Sequence, residues 1–520
     1  MNPHRHAHLD YLTFEKLDSS DSGPQPTRPW CVAPGVSGRL KSIVAALLIA
    51  AAAACGDSAE DYEPSVTSAE RAQAAEQHPL LLAEFGGTYD GPEARYLAGL
   101  GEKLAAAAGL GGQCTFTLVN TDVVNAFAVP GCYIYITRGL FGIVNSEAEL
   151  ASVLGHELGH IVANHSERRQ RRGLFSGLGA MVVGVLTGSE RLAGIAARAA
   201  EFYTLRYSRK QEFESDDLGI RYLVQAGYDP YAAGDMLESL GDHEAYQAMV
   251  RGDDEAQRIP AWALTHPLTG ERIERAAEQA EATGHGPDAL PEGEGPYLSQ
   301  VDGLLWGDDP EQGFVLGRRF AHPEMGIAFE APPGFSLANS PQAVLIDGPD
   351  GLTGQFAGGR LPPGGLEAYA AALLDELIGE APAQVRPGEM VRTRVNGLAA
   401  VMLPVLVQTQ QGAAQITVAA YAAGATDAYH FITIGPPSGG GAEAVAPLFG
   451  SFRLLSPAEA RSLRPRQIEV VTVGRGETIA AMATRMAVPD HAAETFLMLN
   501  DRDPRPELRP GERVKLIVYR

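Results

Sequence analysis

His156-Glu157-Leu158-Gly159-His160 decides the reading of this chain. On an α-helix, residues i and i+4 lie on one face, one turn apart. Both imidazoles then reach one metal ion from a single rigid element. Glu157, the next residue round, projects toward the same site and is placed to take a proton from a metal-bound water. The flanks predict a helix. Glu147 to Leu154 is made mostly of good helix formers, with Ser146 as the N-cap, and Ile161 and Val162 continue the apolar run. The plain alternative is a pair of histidines on a surface helix.

Further along comes Ser208-Arg209-Lys210-Gln211-Glu212-Phe213-Glu214-Ser215-Asp216. Glu212 and Asp216 are spaced to share one helix face. Glu212 completes a set of His156, His160 and Glu212 around one Zn²⁺ per chain, with a fourth position left for water, as in catalytic zinc sites. Asp216 would accept a hydrogen bond from the non-ligating nitrogen of a histidine, His156 foremost, and fix its tautomer. Glu214, two residues from Glu212, points elsewhere on the helix. An isolated run of this kind reads as a solvated acidic face; following the histidine pair it reads as part of the site.

HExxH followed by ExxSD resembles the gluzincin pattern of zinc peptidases. The fuller string SRxxExxSD resembles the family of CAAX-prenyl endopeptidases, HtpX-type proteases and periplasmic BepA-like proteases. Three more stretches resemble that family: Gly87–Leu104, Asn125–Leu140 (NAFAVPG, then YIYITRGL), and Thr265-His266-Pro267-Leu268-Thr269 through Arg272-Ile273. The resemblance covers about residues 80–280. Cys132 stands where the family has the second Gly of PGG, and Ser215 where it has the Ala of EAD; neither is a ligand.

The resemblance implies a mainly helical, zincin-like catalytic domain with a small β-sheet. It implies hydrolysis through a zinc-activated water with Glu157 as general base, without a covalent intermediate. The 125–137 stretch alternates and is rich in Tyr, Ile and Thr, as a strand should be. By resemblance, Asn125, Ala126, Phe127, Pro130 and Gly131 belong to an edge strand that pairs with an extended substrate; the alternative is a buried structural strand. Pro130 cannot donate to a ladder, which suits an edge. His266 has two open roles. It either donates to the oxyanion during hydrolysis or takes the fourth zinc position in a latched resting state.

Arg39 and Lys41 precede an apolar run from Ile43 to Ala54, followed by Cys55-Gly56-Asp57. A basic segment and a short apolar segment predict a secretory signal, not a span. Ala53 and Ala54 before Cys55 resemble a bacterial lipoprotein box, although Ala52 stands where Leu is usual. Cys55 is then the lipidated residue, and Gly56 rather than Asp points to the outer membrane; an ordinary cleaved signal is the alternative. Residues 1–38 precede that signal and read as a mis-assigned start. Cys114 and Cys132 remain in the catalytic domain, where an oxidising periplasm permits a bridge whose geometry sequence does not show.

At 520 residues the chain predicts several domains. A net charge of −23 argues against nucleic acid and against a polybasic membrane contact. Leu174–Leu186 is apolar but only about 13 residues long, short of the roughly 20 that span a bilayer; it reads as a connecting helix or a lid near the cleft. The expected layout is a leader at 1–54, a tether at 55–78, the zinc peptidase domain at 79–280, a Gly- and Pro-rich linker at 281–312, an α+β accessory domain at 313–456 and a last module at 466–520. Within the accessory domain Leu366–Ile378 predicts a helix, and Gly326–Glu330, Gln415–Ala420 and His430–Ile434 predict strands. The last module resembles a LysM repeat, with order βααβ. That implies peptidoglycan binding, or else a degenerate structural copy. The fold class is thus α+β multidomain.

The first reading is a metalloendopeptidase on the periplasmic face of the envelope, an outer-membrane lipoprotein acting in protein quality control on misfolded or stalled envelope proteins. Its membrane contact would be the lipid anchor alone. The second is a non-catalytic envelope chaperone or scaffold lipoprotein, which would have no need of Glu157. The third, a peptidoglycan hydrolase, rests only on the LysM-like tail.

Overall fold

Two helices crossing at glycines position everything that follows. In the first half of the chain the elements are α1 (Ser68–Glu84), α2 (Pro92–Ala107), β1 (Thr115–Val119), β2 (Ala126–Val129), β3 (Tyr133–Thr137), α3 (Arg138–Ile143), α4 (Glu147–Val162), α5 (Arg209–Ala226), α6 (Ala232–Arg251), α7 (Gly270–Ala282) and α8 (Glu294–Val301). This computed structural model describes residues 64–168, 207–251, 262, 266–378, 385–409, 412–436, 441–502 and 507–520. The leader, Cys55 and Leu174–Leu186 lie outside the described residues.

Ser146 caps α4: its Oγ accepts from Glu149 N at 3.0 Å, and the Glu149 carboxylate accepts from Asn145 N at 2.9 Å. Leu150, Leu154 and Leu158, one turn apart, are fully buried. α5 starts at Ser208, whose N–H donates to Gln211 Oε1 at 3.1 Å, and ends at Gly227 in the left-handed region (φ 79°). Gly155 and Gly159 of α4 face Gly219 and Ser215 of α5. A Cβ added at Gly155 would lie 3.1 Å from Gly219 Cα, and one at Gly159 would lie 3.0 Å from Ser215 Cα. The two backbones therefore touch, and that contact aligns the His156 and His160 face with the Glu212 and Asp216 face.

The small sheet has order β1-β3-β2, with β1 parallel and β2 antiparallel to β3. Thr115 pairs with Tyr133, so the preceding residues, Cys114 and Cys132, sit side by side and are joined as a disulfide with Cα atoms 4.6 Å apart. Gly131 and Cys132 both have positive φ (94° and 59°). A cysteine there carries a left-handed penalty of about 1 kcal/mol that glycine avoids. Closing the 18-residue separation offsets it with about 3 kcal/mol.

Residues 281–312 are not a linker. α8 buries Tyr297, Leu298 and Val301 in the core around α4, and the Tyr297 hydroxyl donates to Phe141 O. Their spacing is one helical face, hidden in a stretch otherwise rich in Gly, Pro and acid. Within the same stretch β4 (Leu305–Trp306) is held by the buried Arg138, which donates to Leu305 O and Gly307 O at 2.7 Å each. α1 likewise begins inside the expected tether, and Ala74 on it is buried.

Beyond lies an α+β region. Strands β5 (Phe314–Leu316), β6 (Arg319–His322) and β7 (Ile327–Glu330) form one sheet with β16 (Arg453–Leu454). A second, eight-stranded sheet contains β8 (Ser336–Asn339), β9 (Val344–Asp347), β10 (Thr353–Arg360), β11 (Val385–Pro387), β12 (Val391–Val395), β13 (Leu398–Thr409), β14 (Gly412–Ala423) and β15 (Asp427–Gly435). α9 (Gly365–Ile378) packs Leu366, Ala370 and Leu374 on one of its faces, and α10 (Gly441–Ser451) covers the aromatic core around Phe329, Phe356 and Phe431. After α11 (Pro457–Ser462) the chain ends in β17 (Arg466–Thr472), α12 (Ile479–Ala483), α13 (Ala492–Leu499) and β18 (Arg513–Tyr519), with β17 and β18 antiparallel.

This last module is built into the first domain. β4 pairs with β17, and Met498 joins the core around α4. The buried Lys515 ammonium donates to Gly142 O, Ile143 O and Val144 O at 3.0, 3.0 and 2.8 Å, capping the end of α3 beside the start of α4. Burial pushes its pKa down.

The helix crossing gives a paired test. Gly99 is exposed in α2 with nothing near a new Cβ, so Gly99→Ala should raise stability by about 0.5–1 kcal/mol. A Cβ at Gly219 would lie 3.0 Å from His156 N, so Gly219→Ala should lose about 1–3 kcal/mol despite the better helix former. Urea unfolding of the two variants checks the opposite signs.

Candidate metal centre

α4 supplies His156, Glu157 and His160, α5 supplies Glu212 and Asp216, and the segment before α7 supplies His266. Four ligand atoms converge. His156 Nε2, His160 Nε2 and His266 Nδ1 are 3.0, 3.2 and 3.4 Å apart. Glu212 oxygens lie 3.3 Å from His266 Nδ1, 3.6 Å from His156 Nε2 and 3.7 Å from His160 Nε2. The last three run from two atoms, Oε1 to His266 and His160 and Oε2 to His156, so the three nitrogens and the carboxylate close around one point. A tetrahedral zinc with ligand bonds of about 2.0–2.1 Å has edges of about 3.3–3.4 Å.

The donor chemistry points the same way. Asp216 Oδ1 lies 2.8 Å from His156 Nδ1, and Arg272 donates to both Asp216 oxygens at 2.8 Å. Burial alone would raise the Asp216 pKa, but Arg272 and His156 hold it well below the carboxylate range. An ionised Asp216 accepts a hydrogen bond from His156 Nδ1–H and so leaves the lone pair on Nε2. On the other side His160 Nδ1 lies 2.8 Å from His165 Nδ1, and His165 Nε2 lies 3.1 Å from Glu214 Oε2, which Arg168 also contacts at 3.0 Å. Assigning the His165 Nε2 proton to Glu214 makes His165 Nδ1 the acceptor and frees His160 Nε2 as a lone pair. Two lone pairs 3.0 Å apart repel unless a cation lies between them. Burial and the neighbouring His156 and His266 hold the His160 pKa well below normal, so its imidazole is neutral.

Glu212 is fully buried. Burial would raise its pKa, yet His266 and Arg272 bring it below normal. Its Oε2 has no hydrogen-bond donor; Arg272 Nη1 is 2.9 Å away as a charge partner but off the hydrogen-bond axis. Glu157 is 2 % exposed, with Oε1 3.4 Å from His266 Nε2 and Oε2 without any partner. Burial raises its pKa, partly opposed by His266 and His156, which strengthens it as a base. His266 itself is raised: burial lowers it, and Glu212 and Glu157 outweigh that.

The strand residues divide. β2 lies at an edge of its sheet, and no described strand pairs with its outer side. Ala126 lines the cleft beside the ligand set. Asn125 is buried, its N–H donating to Thr137 Oγ1 at 3.0 Å. Phe127 stacks on Tyr135 with ring centroids 4.7 Å apart, away from the ligands. Gly131 packs on α1, where a Cβ would meet Glu70 O at 2.6 Å; neither it nor Pro130 lines the cleft.

Sequence reasoning gave no role to His165, Arg272 or Tyr207. Tyr207 stacks on the His160 ring at 3.8 Å between centroids. Glu214, set aside as pointing elsewhere, does point away from the ligand cluster, but toward His165. The available signals were a third histidine five residues after the pair and the Arg272 position of the HPxxxxRI string.

Removing these supports should weaken the site. His165→Ala should lower zinc affinity about 10–100-fold, with Glu214→Gln moving the same way, read by competition with a chromophoric chelator. Asp216 also predicts an acid effect. Its folded pKa lies below the unfolded value of about 3.9, so its stabilisation is present above that value and lost as pH falls below it. Metal-free protein should lose stability as pH falls below about 4 and on toward the depressed folded pKa, and Asp216→Asn should show a shallower loss.

The sequence model of peptidase family M48 matches residues 92–280. The chain is 32 % identical over 202 residues to the beta-barrel assembly-enhancing protease of Yersinia pestis, covering 37 % of this chain and 40 % of that protein. It is 32 % identical over 174 residues to the protein of that name from Escherichia coli K12, covering 32 % of this chain and 34 % of that one. It is 36 % identical over 124 residues to mitochondrial metalloendopeptidase OMA1 of Arabidopsis thaliana, covering 24 % and 25 %. The chain thus spans two fifths or less of the length of these relatives. Residues 92–280, which match the model of peptidase family M48, also contain His156, His160, Glu212 and His266, the group that could hold a metal ion.

Proposed function

We propose that the protein is a zinc-dependent endopeptidase that hydrolyses peptide bonds in unfolded or stalled proteins of the bacterial cell envelope. The observation that carries this is Glu157: a buried carboxylate with one unpartnered oxygen, beside a ligand set that fits one metal ion. A purely binding protein gains nothing from burying such a base. His156, His160 and Glu212 would hold the zinc, which supplies Lewis acidity, acidifying water and polarising a carbonyl oxygen. Glu157 accepts the proton of the attacking water and passes it to the leaving amine. Asp216 and His165 hold the two imidazoles in the ligating tautomer.

His266 is the fourth corner of the set in this arrangement, which favours the latched role over the oxyanion role. It must swing away to admit substrate, and its Nε2 near Glu157 couples the latch to the base. The envelope location rests on the signal-like leader, with lipidation at Cys55, and on the printed names of the Yersinia and Escherichia relatives. Among the described residues, no helix is long and apolar enough to cross a membrane. Peptidoglycan contact through 466–520 rests on resemblance alone, and a pull-down with purified sacculi tests it.

The decisive comparison is wild type against Glu157→Gln for bound zinc and for cleavage of casein. Zinc in both with cleavage at least about 100-fold slower in the variant supports the reading. Equal cleavage removes Glu157 from the reaction. His266→Ala should raise turnover if the latch holds, whereas a drop would return His266 to oxyanion stabilisation.

A further inference from the structure

Three rings meet at the ligand set. Tyr207 lies face to face on His160, with centroids 3.8 Å apart and planes 15° apart. It lies tilted against His266, at 5.5 Å and 35°. His160 and His266 are themselves 5.1 Å apart. Tyr207 is 7 % exposed, so its ring faces protein rather than solvent.

The two histidines of α4 are held differently. Asp216 meets His156 Nδ1, and the Arg272 fork fixes Asp216 in turn. His160, at its non-ligating nitrogen, meets His165 Nδ1 at 2.8 Å. One such bond fixes the tautomer but leaves the ring free to turn about it. A second ring laid parallel removes that freedom. The face of a phenol ring is negative, and an imidazole bound to a cation is drawn positive, so the stack strengthens when a metal is bound.

Tyr207 is mounted from α5. It stands one residue before the N-cap Ser208, whose Oγ donates to Gln211 Oε1 at 2.9 Å. Gln211 Nε2 donates in turn to His165 O at 3.2 Å. The cap thus ties the end of the helix that carries Tyr207 to the residue that orients His160.

We propose that Tyr207 is a positioning residue: its ring fixes the plane of His160 and holds His266 at the fourth corner of the ligand set. Both contacts are ring on ring, so the aromatic face carries the role, while the hydroxyl lies 3.5 Å from Ser166 Oγ. The latch then has two parts, because His266 completes the set only while its ring rests on Tyr207. This inference rests on the zinc reading and on the latched role of His266 above.

Two measurements on the full chain test it: zinc affinity, by competition with a chromophoric chelator, and the number of bound imidazoles, by X-ray absorption at the zinc edge. Tyr207→Phe keeps the ring and should match wild type in both. Tyr207→Leu should bind zinc about 10-fold more weakly and show two imidazoles in place of three. If that variant melts too early to load, Tyr207→Met, unbranched and adaptable, should show the same two changes. A merely structural role would lower the melting temperature and leave the imidazole count alone. Wild-type affinity with three imidazoles in the Leu or Met form reduces Tyr207 to core packing and overturns the proposal, as does either change without the other. A Phe form that loses as much as the Leu form assigns the role to the hydroxyl and overturns it too. No zinc in wild type overturns the metal reading itself, and the proposal with it.

Discussion

The contact between α4 and α5 is the constraint on which the site depends. Gly155 and Gly159 on one helix meet Ser215 and Gly219 on the other, with no room for a larger side chain between them. Glycine in a helix interior costs about 1 kcal/mol of propensity, and the chain accepts this where the crossing occurs. In return the ligands reach each other across two rigid elements rather than through loops. The glycine inside the HELGH run is thus a packing residue, set between Leu158 of the core and His160 of the candidate metal site.

Around that crossing, buried charge is arranged in two supporting lines. On the α7 side Arg272 binds Asp216 in a fork and approaches Glu212, so one guanidinium balances two buried carboxylates. On the opposite side Glu214 and Arg168 support His165, which supports His160. Each imidazole is oriented by a separate partner ending in a carboxylate. Leaving one such partner out would strand a buried charge, which costs far more than a surface pair contributes. The last module adds a third line, because Lys515 ties its strand to the carbonyls just before α4.

The parts of this arrangement that are local in sequence were legible there. His156, Glu157 and His160 need only the helical repeat, and Glu212 with Asp216 needs it again. The Leu366 helix and the strands at 326–330, 415–420 and 430–434 are local in the same way; α9, β14 and β15 contain theirs, and β7 begins one residue later, at Ile327. What depends on distant packing was not legible. His165 reads as a loop histidine until α5 brings Glu214 beside it. Cys114 and Cys132 become partners only through the parallel pairing of β1 with β3. The 281–312 stretch misleads because Gly, Pro and acidic residues dominate its composition while three apolar residues decide its burial. Lys515, five residues before the last, gives no sign in the sequence that it is buried. The order βααβ of the last module is what its LysM resemblance implied, but its fusion to the core around α4 was not legible.

X-ray absorption at the zinc edge tests the central claim most directly, because it counts ligands without requiring a substrate. The account predicts one zinc per chain in the protein with a four-coordinate shell of about 2.0–2.1 Å containing three imidazoles and one carboxylate. The His266→Ala form should keep its zinc but show two imidazoles, with an oxygen in place of the third. An unchanged imidazole count in that variant, or a shell without His156, His160 and Glu212, would contradict the account.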